Sequence, residues 1–320
     1  MRYLITGAAG FIGSHFTREL VSGRFGAAAS VTVLDRLTYA GNEENLDDIR
    51  ADITFIKGDI CDRALLDRIV PGHDVVVNFA AESHVDRSIT SPHDFIMTNV
   101  VGVQVLFDAC LAHEVSRIVH VGTDEVYGSI EDGSWSEASP LQPNSPYAAS
   151  KAAAELLVRA YFCTYGLPVM STRCSNTYGS HQFPEKAIPL FITNLLDGHP
   201  IPLYGDGRHV RDWIHVLDHC RAIAVVLEQG IPGRSYNISG GFELSNRELV
   251  TMILDAFNAT WADVTEVPDR AGHDLRYSVD DSAIRQLGFA PHIPMSSGLP
   301  ETIQWYAGNR AWWLPLKEHR

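Results

Sequence analysis

The stretch "RYLITGAAGFIGSH", residues 2–15, decides the fold of this 320-residue chain. An apolar run leads directly into three glycines with the spacing G-x-x-G-x-x-G, and a helical pattern begins at residue 11. Glycine permits a tight turn and lets backbone amides approach a pyrophosphate, while the following helix N-terminus offers the positive end of its dipole. We therefore predict a strand, a phosphate-binding turn through Gly7, Gly10 and Gly13, and a helix.

Asp35 ends the second predicted strand, at the distance from the glycines where a dinucleotide site carries an acidic residue. A carboxylate there accepts hydrogen bonds from the ribose hydroxyls of NAD and repels the ribose phosphate of NADP. Arg36 weakens the second argument slightly because its cation would attract that phosphate. The alternative is that Asp35 only caps a turn, but together with the glycines it predicts NAD as the cofactor.

Apolar runs alternate with helical patterns along the first half of the chain. The predicted strands are "RYLI" (2–5), "SVTVL" (30–34), "ITFIKG" (53–58), "DVVVNFA" (74–80), "RIVHVG" (117–122) and "PVMSTR" (168–173). The predicted helices are 11–23, 43–50, 62–69, 92–113 and 146–165. Most strands are apolar on both faces, as a covered parallel sheet requires, so we predict an α/β fold with a doubly wound parallel sheet of the Rossmann type.

After about residue 175 this alternation weakens, and prolines and glycines become denser. Short predicted strands ("IPLY", 201–204; "VRDWI", 210–214; "SYNIS", 235–239) mix with helices near 186–197, 215–228, 245–257 and 296–307. We predict an NAD-binding Rossmann domain over residues 1–175 and a smaller C-terminal, mainly substrate-binding domain over residues 176–320. No linker separates the halves, so some segments are expected to return to the first domain.

The composition excludes several classes of protein. A formal net charge of −14 disfavours a nucleic-acid partner and an anionic membrane surface. The cysteines are odd in number and lack C-x-x-C spacing, which favours reduced, buried thiols; they are Cys61, Cys110, Cys163, Cys174 and Cys220. We see no signal peptide and no apolar run of membrane-spanning length, and expect a cytoplasmic protein.

Two motifs carry candidate catalytic groups. "SPYAASK" places Tyr147 and Lys151 four residues apart, on one face of a helix. A neighbouring ammonium favours the phenolate, which predicts that Tyr147 acts as a base near neutral pH. "HVGTDEVYGS" (120–129) follows a predicted strand with Thr123, Asp124 and Glu125. Each motif has a plain alternative, a solvated helix face or a polar loop, but both lie where a parallel sheet places its ligand edge.

The chain resembles the extended short-chain dehydrogenase/reductases and, within them, the dTDP-glucose 4,6-dehydratase family, over nearly its whole length. The glycine and Y-x-x-x-K motifs are typical of the superfamily, whereas "LTYAGN" (37–42), "SHVDRSI" (83–89) and "TDE" (123–125) are typical of the dehydratases. The other matching motifs are "GDICD" (58–62), "CSNTYG" (174–179), "FPEKAIPL" (183–190), "RDWIHV" (211–216), "YNISGG" (236–241), "DRAGHDLRY" (269–277) and "GLPETIQWYAGNRAWW" (298–313). Ala271 departs from the family, where a proline is expected.

The resemblance implies a lyase that converts dTDP-glucose to dTDP-4-keto-6-deoxyglucose in three steps. Tyr147 would take the proton of the 4-hydroxyl, beside Thr123, while a hydride passes from carbon 4 to NAD. Glu125 would then remove the proton on carbon 5, and Asp124 would protonate the departing 6-hydroxyl. Two carboxylates in different protonation states suit that elimination, after which the hydride returns to carbon 6.

The resemblance also implies a set of binding residues. Those expected to bind NAD are Gly7, Gly10, Phe11, Ile12, Gly13, Asp35, Thr38, Asp59, Ile60, Ala80, Ala81, Ser83, Thr98, Tyr147, Lys151 and Thr177. Those expected to bind the sugar nucleotide are Ser83, Thr123, Asn176, Glu185, Lys186, Pro202, Tyr204, Arg211, Asn246, Arg270 and His273. Arg211 and Arg270 would hold the diphosphate, for which guanidinium groups are suited. His84, His215 and His273 lack paired ligand spacing, so we predict no metal.

Two other functions share these motifs. A UDP-sugar 4-epimerase would have the same fold, NAD, tyrosine and lysine, but needs no base for carbon 5, so Asp124 and Glu125 discriminate against it. A non-catalytic NAD-binding regulator would be expected to lack Tyr147, Lys151 or Thr123, and all three are present. The family likeness further implies a homodimer, and the long apolar helices 92–113 and 146–165 could bury a face in a partner subunit.

Overall fold

The computed structural model describes residues 1–28 and 30–318, and it is an α/β structure. Its strands are β1 (Arg2–Thr6), β2 (Ser30–Asp35), β3 (Thr54–Lys57), β4 (Val75–Asn78), β5 (Arg117–Thr123), β6 (Val169–Cys174), β7 (Asn176–Tyr178), β8 (Ile201–Tyr204), β9 (Val210–His215), β10 (Ser235–Ile238), β11 (Glu243–Ser245) and β12 (Val264–Val267). Its α-helices are α1 (Phe11–Val21), α2 (Arg63–Ile69), α3 (Val85–Thr90), α4 (Pro92–Ile96), α5 (Val103–Ala112), α6 (Pro146–Tyr165), α7 (Ala187–Leu196), α8 (Val216–Gln229), α9 (Asn246–Phe257), α10 (Ser282–Gln286), α11 (Met295–Gly308) and α12 (Arg310–Glu318). Glu43–Asp52, Asp124–Tyr127 and Trp261–Asp263 form 3₁₀ helices, and Met97–Gly102 forms a π-helical turn.

Seven parallel strands form the central sheet, in the order β10-β6-β5-β4-β1-β2-β3. The direction in which strands are added reverses between β1 and β4, and ligands bind in the crevice outside the carboxyl ends of strands at such a switch point. The predicted doubly wound fold is therefore confirmed. The segment predicted as a helix at 43–50 is a 3₁₀ helix that extends to Asp52.

Both faces of this sheet are covered, which explains why its strands are apolar throughout. Every residue of β4 and of β6 is buried. Helices α1 and α8 pack on one face, where Phe16 and Ile223 lie in a shared core, and α2, α5 and α6 pack on the other around Phe107 and Val158. The carboxyl edge of the sheet therefore lies between two helical layers.

The residues after β6 build two smaller sheets and a separate core. Strands β7, β9 and β11 form one sheet, and β8 pairs in parallel with β12. Large buried rings, including Tyr178, Trp213, Tyr306 and Trp313, fill the core among α7, α9, α11 and α12. Strand β10 instead returns to the central sheet beside β6.

A cluster of rings joins α1 to the C-terminal helices. His15 on α1 contacts His181 edge to face, with ring centroids 5.4 Å apart, and its Nε2 lies 2.9 Å from the carbonyl oxygen of Ser180. His181 in turn packs on Trp305 at 4.4 Å and on Trp312 at 5.5 Å. His181 has a φ of +61°, a conformation that non-glycine residues rarely adopt, so its packing holds it there.

The helical segment Pro92–Ala112 corrects one sequence prediction. Helix α4, the π-helical turn and α5 run on continuously, and the 21 residues are long and apolar enough to cross a membrane. The prediction that no apolar run reaches that length is therefore wrong. Part of the segment is buried in the protein, including Phe95, Val103 and Phe107, whereas Ile96 and Met97 are exposed.

Candidate active site

The glycine turn after β1 leaves bare backbone at the opening of α1. Gly7 has a φ of +72°, and a side chain there would overlap the backbone of Ala80 at the end of the neighbouring strand. A side chain at Gly13 would overlap the carbonyl oxygen of Gly7. The first turn of α1 has no acidic residue, so its amide groups and dipole can attract an anion.

A cavity of about 310 Å³ opens at the carboxyl edge of the sheet, beside this turn. Every residue predicted to bind NAD and every predicted catalytic residue lines it. These residues are Gly7, Gly10, Phe11, Ile12, Gly13, Asp35, Thr38, Asp59, Ile60, Ala80, Ala81, Ser83, Thr98, Thr123, Asp124, Glu125, Tyr147, Lys151 and Thr177. The fold therefore brings both sets into one cavity.

Asp35 has a structural role in addition to its place in the cavity. Its carboxylate accepts hydrogen bonds from the backbone N–H groups of Ala9, at 2.9 Å, and Leu37, at 2.8 Å. It thus ties the glycine turn to the end of β2, and a carboxylate oxygen can accept more than one bond. Arg36 forms an ion pair with Asp59 at 3.1 Å, so its cation is already partly compensated.

The acidic pair lies where β5 passes into a 3₁₀ turn. Thr123 caps this turn by accepting a hydrogen bond from the N–H of Glu125 at 3.3 Å. Asp124 is 3 % exposed, and its Oδ2 has no hydrogen-bond partner among the described residues. Burial and the neighbouring Glu125 raise the pKa of Asp124 well above its ordinary value, which favours the protonated acid.

Glu125 is partly buried and lies near three cationic side chains. Burial raises the pKa of Glu125, but Arg270, Arg211 and Lys186 act in the opposite direction. Glu125 therefore ionises more readily than Asp124. The two neighbouring carboxyl groups thus differ in how strongly they hold a proton.

Tyr147 and Lys151 lie four residues apart on the buried face of α6. The Lys151 ammonium donates a hydrogen bond to the carbonyl oxygen of Val121 at 2.6 Å, and burial lowers the Lys151 pKa to about 8. Burial, Glu125 and Asp124 raise the pKa of Tyr147, while a hydrogen bond with Thr123 acts against them. The sequence predicted that Lys151 lowers the pKa of Tyr147. In the structure the pKa of Tyr147 is instead raised, because burial and the two acidic neighbours outweigh the hydrogen bond with Thr123.

The predicted sugar-nucleotide residues divide into two groups. Ser83, Thr123, Asn176, Glu185 and Lys186 line the cavity, and the Lys186 ammonium donates a hydrogen bond to the carbonyl oxygen of Ser83 at 2.8 Å. The others lie outside the cavity lining; they are Pro202, Tyr204, Arg211, Asn246, Arg270 and His273.

Some of these outer residues still belong to the surroundings of Glu125. Arg211 and Arg270 both act on its pKa, so their guanidinium groups lie near the acidic pair. Arg270 is 3.8 Å from Asp86, which also accepts a hydrogen bond from the Tyr204 hydroxyl at 3.2 Å. Pro202 lies two residues before Tyr204 on β8, and Asn246 begins α9.

His273 belongs to a cluster that spacing along the chain did not reveal. Its Nδ1 lies 2.6 Å from Asp269 Oδ1, and His209 Nε2 lies 3.2 Å from Asp269 Oδ2. Potential metal-ligand atoms of the three residues lie within 4.8 Å of one another. The two imidazole rings, however, are stacked 3.7 Å apart and tilted by only 16°, so their lone pairs lie in nearly parallel planes and do not converge on one ion. The absence of a metal stays a prediction.

Sequence reasoning missed part of the cavity lining. The missed residues include Tyr39, Cys174, Ser175, Gln182, Phe183 and His219. Cys174 and Ser175 end β6 and begin the next segment, so the strand-end argument that found Asp124 could have found them. His219 comes from α8, and no local pattern marks it.

Comparison with known proteins gives consistent results. The family model described as GDP-mannose 4,6 dehydratase matches residues 4–302. A dTDP-glucose 4,6-dehydratase of Streptomyces niveus is 54% identical, over 99% of this chain and 96% of that protein. The structure of DesIV, the dTDP-glucose 4,6-dehydratase of Streptomyces venezuelae, solved with NAD and dTDP bound, is 56% identical, with a TM-score of 0.98 over 99% of this chain and 100% of that one. A UDP-glucose 4-epimerase of Thermus thermophilus, solved with NAD, is 30% identical, with a TM-score of 0.88 over 97% of this chain and 100% of that one.

Proposed function

The chain belongs to the GDP-mannose 4,6 dehydratase family, and we propose that it is an NAD-dependent dTDP-glucose 4,6-dehydratase, a hydro-lyase of the short-chain dehydrogenase/reductase superfamily. It would convert dTDP-glucose to dTDP-4-keto-6-deoxyglucose, a precursor for deoxysugar biosynthesis. The observation that carries this proposal is the pair Asp124 and Glu125 in the cavity of Tyr147, where the pKa of Asp124 is raised more strongly than that of Glu125.

The cavity residues fit NAD. The glycine turn presents bare backbone and a helix N-terminus without acidic residues, as a pyrophosphate requires, and Asp35 lies where a ribose would be bound. Arg36 is held by Asp59, which leaves Asp35 to disfavour a ribose phosphate. When bound, NAD supplies the hydride acceptor for carbon 4 and a positive charge on the nicotinamide ring.

Tyr147 and Thr123 would act on the 4-oxygen of the sugar. Thr123 hydrogen-bonds the phenol of Tyr147, so a substrate oxygen beside them can exchange its proton with the tyrosine. Lys151 is fixed by Val121 and, with a pKa of about 8, retains its charge at neutral pH. Tyr147 would enter this step as the phenolate, which the ammonium of Lys151 can stabilise, and would leave it as the phenol once it has taken the proton of the 4-hydroxyl.

Glu125 and Asp124 would carry out the elimination. Glu125 is the more easily ionised of the two, so it would remove the proton on carbon 5. Asp124 is buried and favours the protonated form, so it would donate its own carboxylic proton to the 6-hydroxyl, which leaves as water. Environments that push two carboxyl groups apart in pKa are the usual way in which an enzyme separates acid from base.

Arg211 and Arg270 would neutralise the substrate diphosphate, as guanidinium groups commonly do. The remaining substrate contacts are proposed at Ser83, Asn176, Glu185, Lys186, Pro202, Tyr204, Asn246 and His273. We also propose that residues 1–175 mainly bind NAD and residues 176–320 mainly bind the sugar nucleotide, with β10 and α8 packed on the first unit.

The UDP-sugar 4-epimerases remain the alternative, since one of them has the same fold at 30% identity. Mass spectrometry after incubation with dTDP-glucose distinguishes the two: a dehydratase product is lighter by one water, whereas an epimerase product keeps the substrate mass. A product of unchanged mass would refute the proposal.

A Glu125→Gln variant tests the assigned roles. It should still generate the absorbance of reduced cofactor with dTDP-glucose, because Tyr147 and Lys151 are intact. It should fail to exchange the carbon 5 proton with deuterium from solvent. Wild-type exchange in this variant would remove Glu125 from the elimination.

We further propose that the enzyme is a homodimer. Large exposed apolar side chains concentrate on α3, α4, the π-helical turn and α6; they are Ile89, Ile96, Met97, Leu156, Phe162 and Tyr165. Helix α6 packs against α3, α4 and α5, so these side chains lie on neighbouring helices. A Leu156→Glu variant should sediment as a monomer, while an Ile231→Glu variant, changed at an exposed residue outside this set, should sediment as a dimer. A monomeric wild-type protein would contradict the proposal.

We also propose that the enzyme works in the cytoplasm. All five cysteines are free thiols, as expected in a reducing compartment. The net charge of −14 supports neither nucleic acid nor an anionic membrane as a partner.

A further inference from the structure

His219 lies in the wall of the cavity and has an unused polar atom. It projects from α8, is 1 % exposed and lines the same cavity as Tyr147 and Asp35. Its Nδ1 lies 2.9 Å from the hydroxyl of Thr177, but its Nε2 has no hydrogen-bond partner among the described residues. A buried polar atom without a partner costs free energy, so its retention beside a cavity calls for an occupant that pairs with it.

The position of His219 identifies the part of the cofactor that it faces. Thr177 follows β6 by three residues, and Cys174 at the end of β6 pairs with Thr123 at the end of β5. Asp35 ends β2, which is four strands away from β6, or about 19 Å at 4.8 Å per strand. A dinucleotide with its adenosine ribose at Asp35 and its pyrophosphate at the glycine turn therefore extends its nicotinamide toward Thr123, Thr177 and His219.

The protonation state of His219 determines what Nε2 can do. Burial lowers the pKa of His219 to about 3, so the ring carries one proton at neutral pH. The Thr177 hydroxyl is closer to His219 Nδ1, at 2.9 Å, than to the carbonyl oxygen of Ser175, at 3.4 Å. When this hydroxyl donates to Nδ1, the ring proton resides on Nε2, which is then a buried donor in the wall of the cavity.

We propose that His219, held by Thr177, donates a hydrogen bond from Nε2 to the carboxamide oxygen of the nicotinamide. The carboxamide is the polar substituent of that ring, and fixing it sets which face of the ring meets the sugar. This inference rests on the proposed function, because it assumes that the cavity binds NAD.

Two substitutions separate this role from a purely structural one. The side-chain nitrogen of Asn comes nearest to the position of Nδ1, and that of Gln nearest to Nε2. His219→Asn can therefore keep the contact with Thr177 but cannot reach the cofactor, whereas His219→Gln can reach it. His73→Asn is the matched control, because His73 Nε2 bonds the Thr32 hydroxyl at 2.8 Å and lies outside the cavity lining.

Isothermal titration calorimetry on the cofactor-free protein tests this inference. It compares the affinity for NAD with the affinity for ADP-ribose, which lacks the nicotinamide. We expect H219N to bind NAD roughly 3- to 10-fold more weakly than wild type, the loss of one hydrogen bond, and to bind ADP-ribose equally well. H219Q and H73N should bind both ligands as wild type does. The inference would be overturned if H219N bound NAD as tightly as wild type does, or if it lost as much affinity for ADP-ribose as for NAD. It would also be overturned if H219Q lost affinity for NAD and H219N did not.

A measurement on the wild-type protein avoids any dependence on the folding of variants. In the long-range ¹H–¹⁵N spectrum of histidine-labelled protein, the Nε2 signal of His219 should shift on addition of NAD and stay unchanged with ADP-ribose. No shift with NAD in a protein that binds it would refute the role of His219 alone. A wild-type protein that does not bind NAD would refute the proposed function as well.

Discussion

Replacement of His181 by asparagine should make the protein less sensitive to acid. His181 packs between His15 and the rings of Trp305 and Trp312, and it adopts a positive φ of +61°. Burial, together with the nearby Arg18, lowers the pKa of His181 to about 4. Asparagine tolerates a left-handed backbone better than most residues and does not titrate, so H181N removes the ionisable group with little backbone strain.

The magnitude follows from proton linkage. The folded-state pKa of about 4 lies below the unfolded value near 6.5, so the contribution of His181 to stability is complete above pH 6.5 and is lost as the pH falls toward 4. Each pH unit in this interval costs about 1.4 kcal/mol once the unfolded histidine is protonated. Between pH 8 and pH 5 the group therefore accounts for about 2 kcal/mol of lost stability.

Urea unfolding followed by circular dichroism at pH 8 and at pH 5 measures this difference. H181N should be less stable than wild type at pH 8 because it loses ring packing, but its further loss at pH 5 should be smaller by about 2 kcal/mol. His199→Asn is the control, since His199 is exposed and its surroundings change little on unfolding. An acid-induced loss in H181N equal to that of wild type would refute the reasoning that His181 is held neutral by its burial in the ring cluster.

Two further predictions concern the cavity. Asp124→Asn removes the buried acid and should lower the rate of elimination by about 10²- to 10⁴-fold. The absorbance of reduced cofactor should still develop with dTDP-glucose, because the oxidation at carbon 4 does not need Asp124. Turnover like that of wild type would exclude Asp124 as the acid. Asp35→Asn keeps a hydrogen-bond acceptor for the N–H of Ala9 or Leu37 but removes the negative charge. In titrations it should bind NAD more weakly and prefer NAD over NADP less strongly than wild type does. An unchanged ratio of the two affinities would show that Asp35 acts only within the turn.

The fold and the cofactor half of the cavity could be predicted because they depend on local pattern. Runs that are apolar on both faces predict buried parallel strands, and the carboxyl ends of such strands meet at one edge. Asp35, Ala80 and Thr123 could thus be placed together before the topology was known. The glycines after β1 added the phosphate turn, since the close approach of Gly7 to Ala80 excludes a side chain.

The remaining features depend on tertiary contacts that leave no local signal. His219 reaches the cavity only because α8 packs on the sheet beside β6. His209 and His273 become neighbours only in the folded chain, where their rings stack at 3.7 Å and both contact Asp269. The effect on Tyr147 also escaped prediction: the spacing to Lys151 indicated a lowered pKa, but the cost of burial and the acidic neighbours cannot be read from that spacing.

The acidic pair creates a conflict inside the site, and its surroundings limit that conflict. A dehydration needs a base and an acid near the sugar, yet negative charge beside Tyr147 opposes the loss of the phenolic proton and so opposes the oxidation that must come first. The structure reduces this cost in two ways: burial favours the neutral form of Asp124, and Arg211, Arg270 and Lys186 lie near enough to offset the charge of Glu125. A diphosphate would engage the two arginines, so the sugar nucleotide itself would adjust how basic Glu125 is when carbon 5 is presented to it. The same cations would then serve both to hold the substrate and to keep two opposed reactions compatible in one cavity.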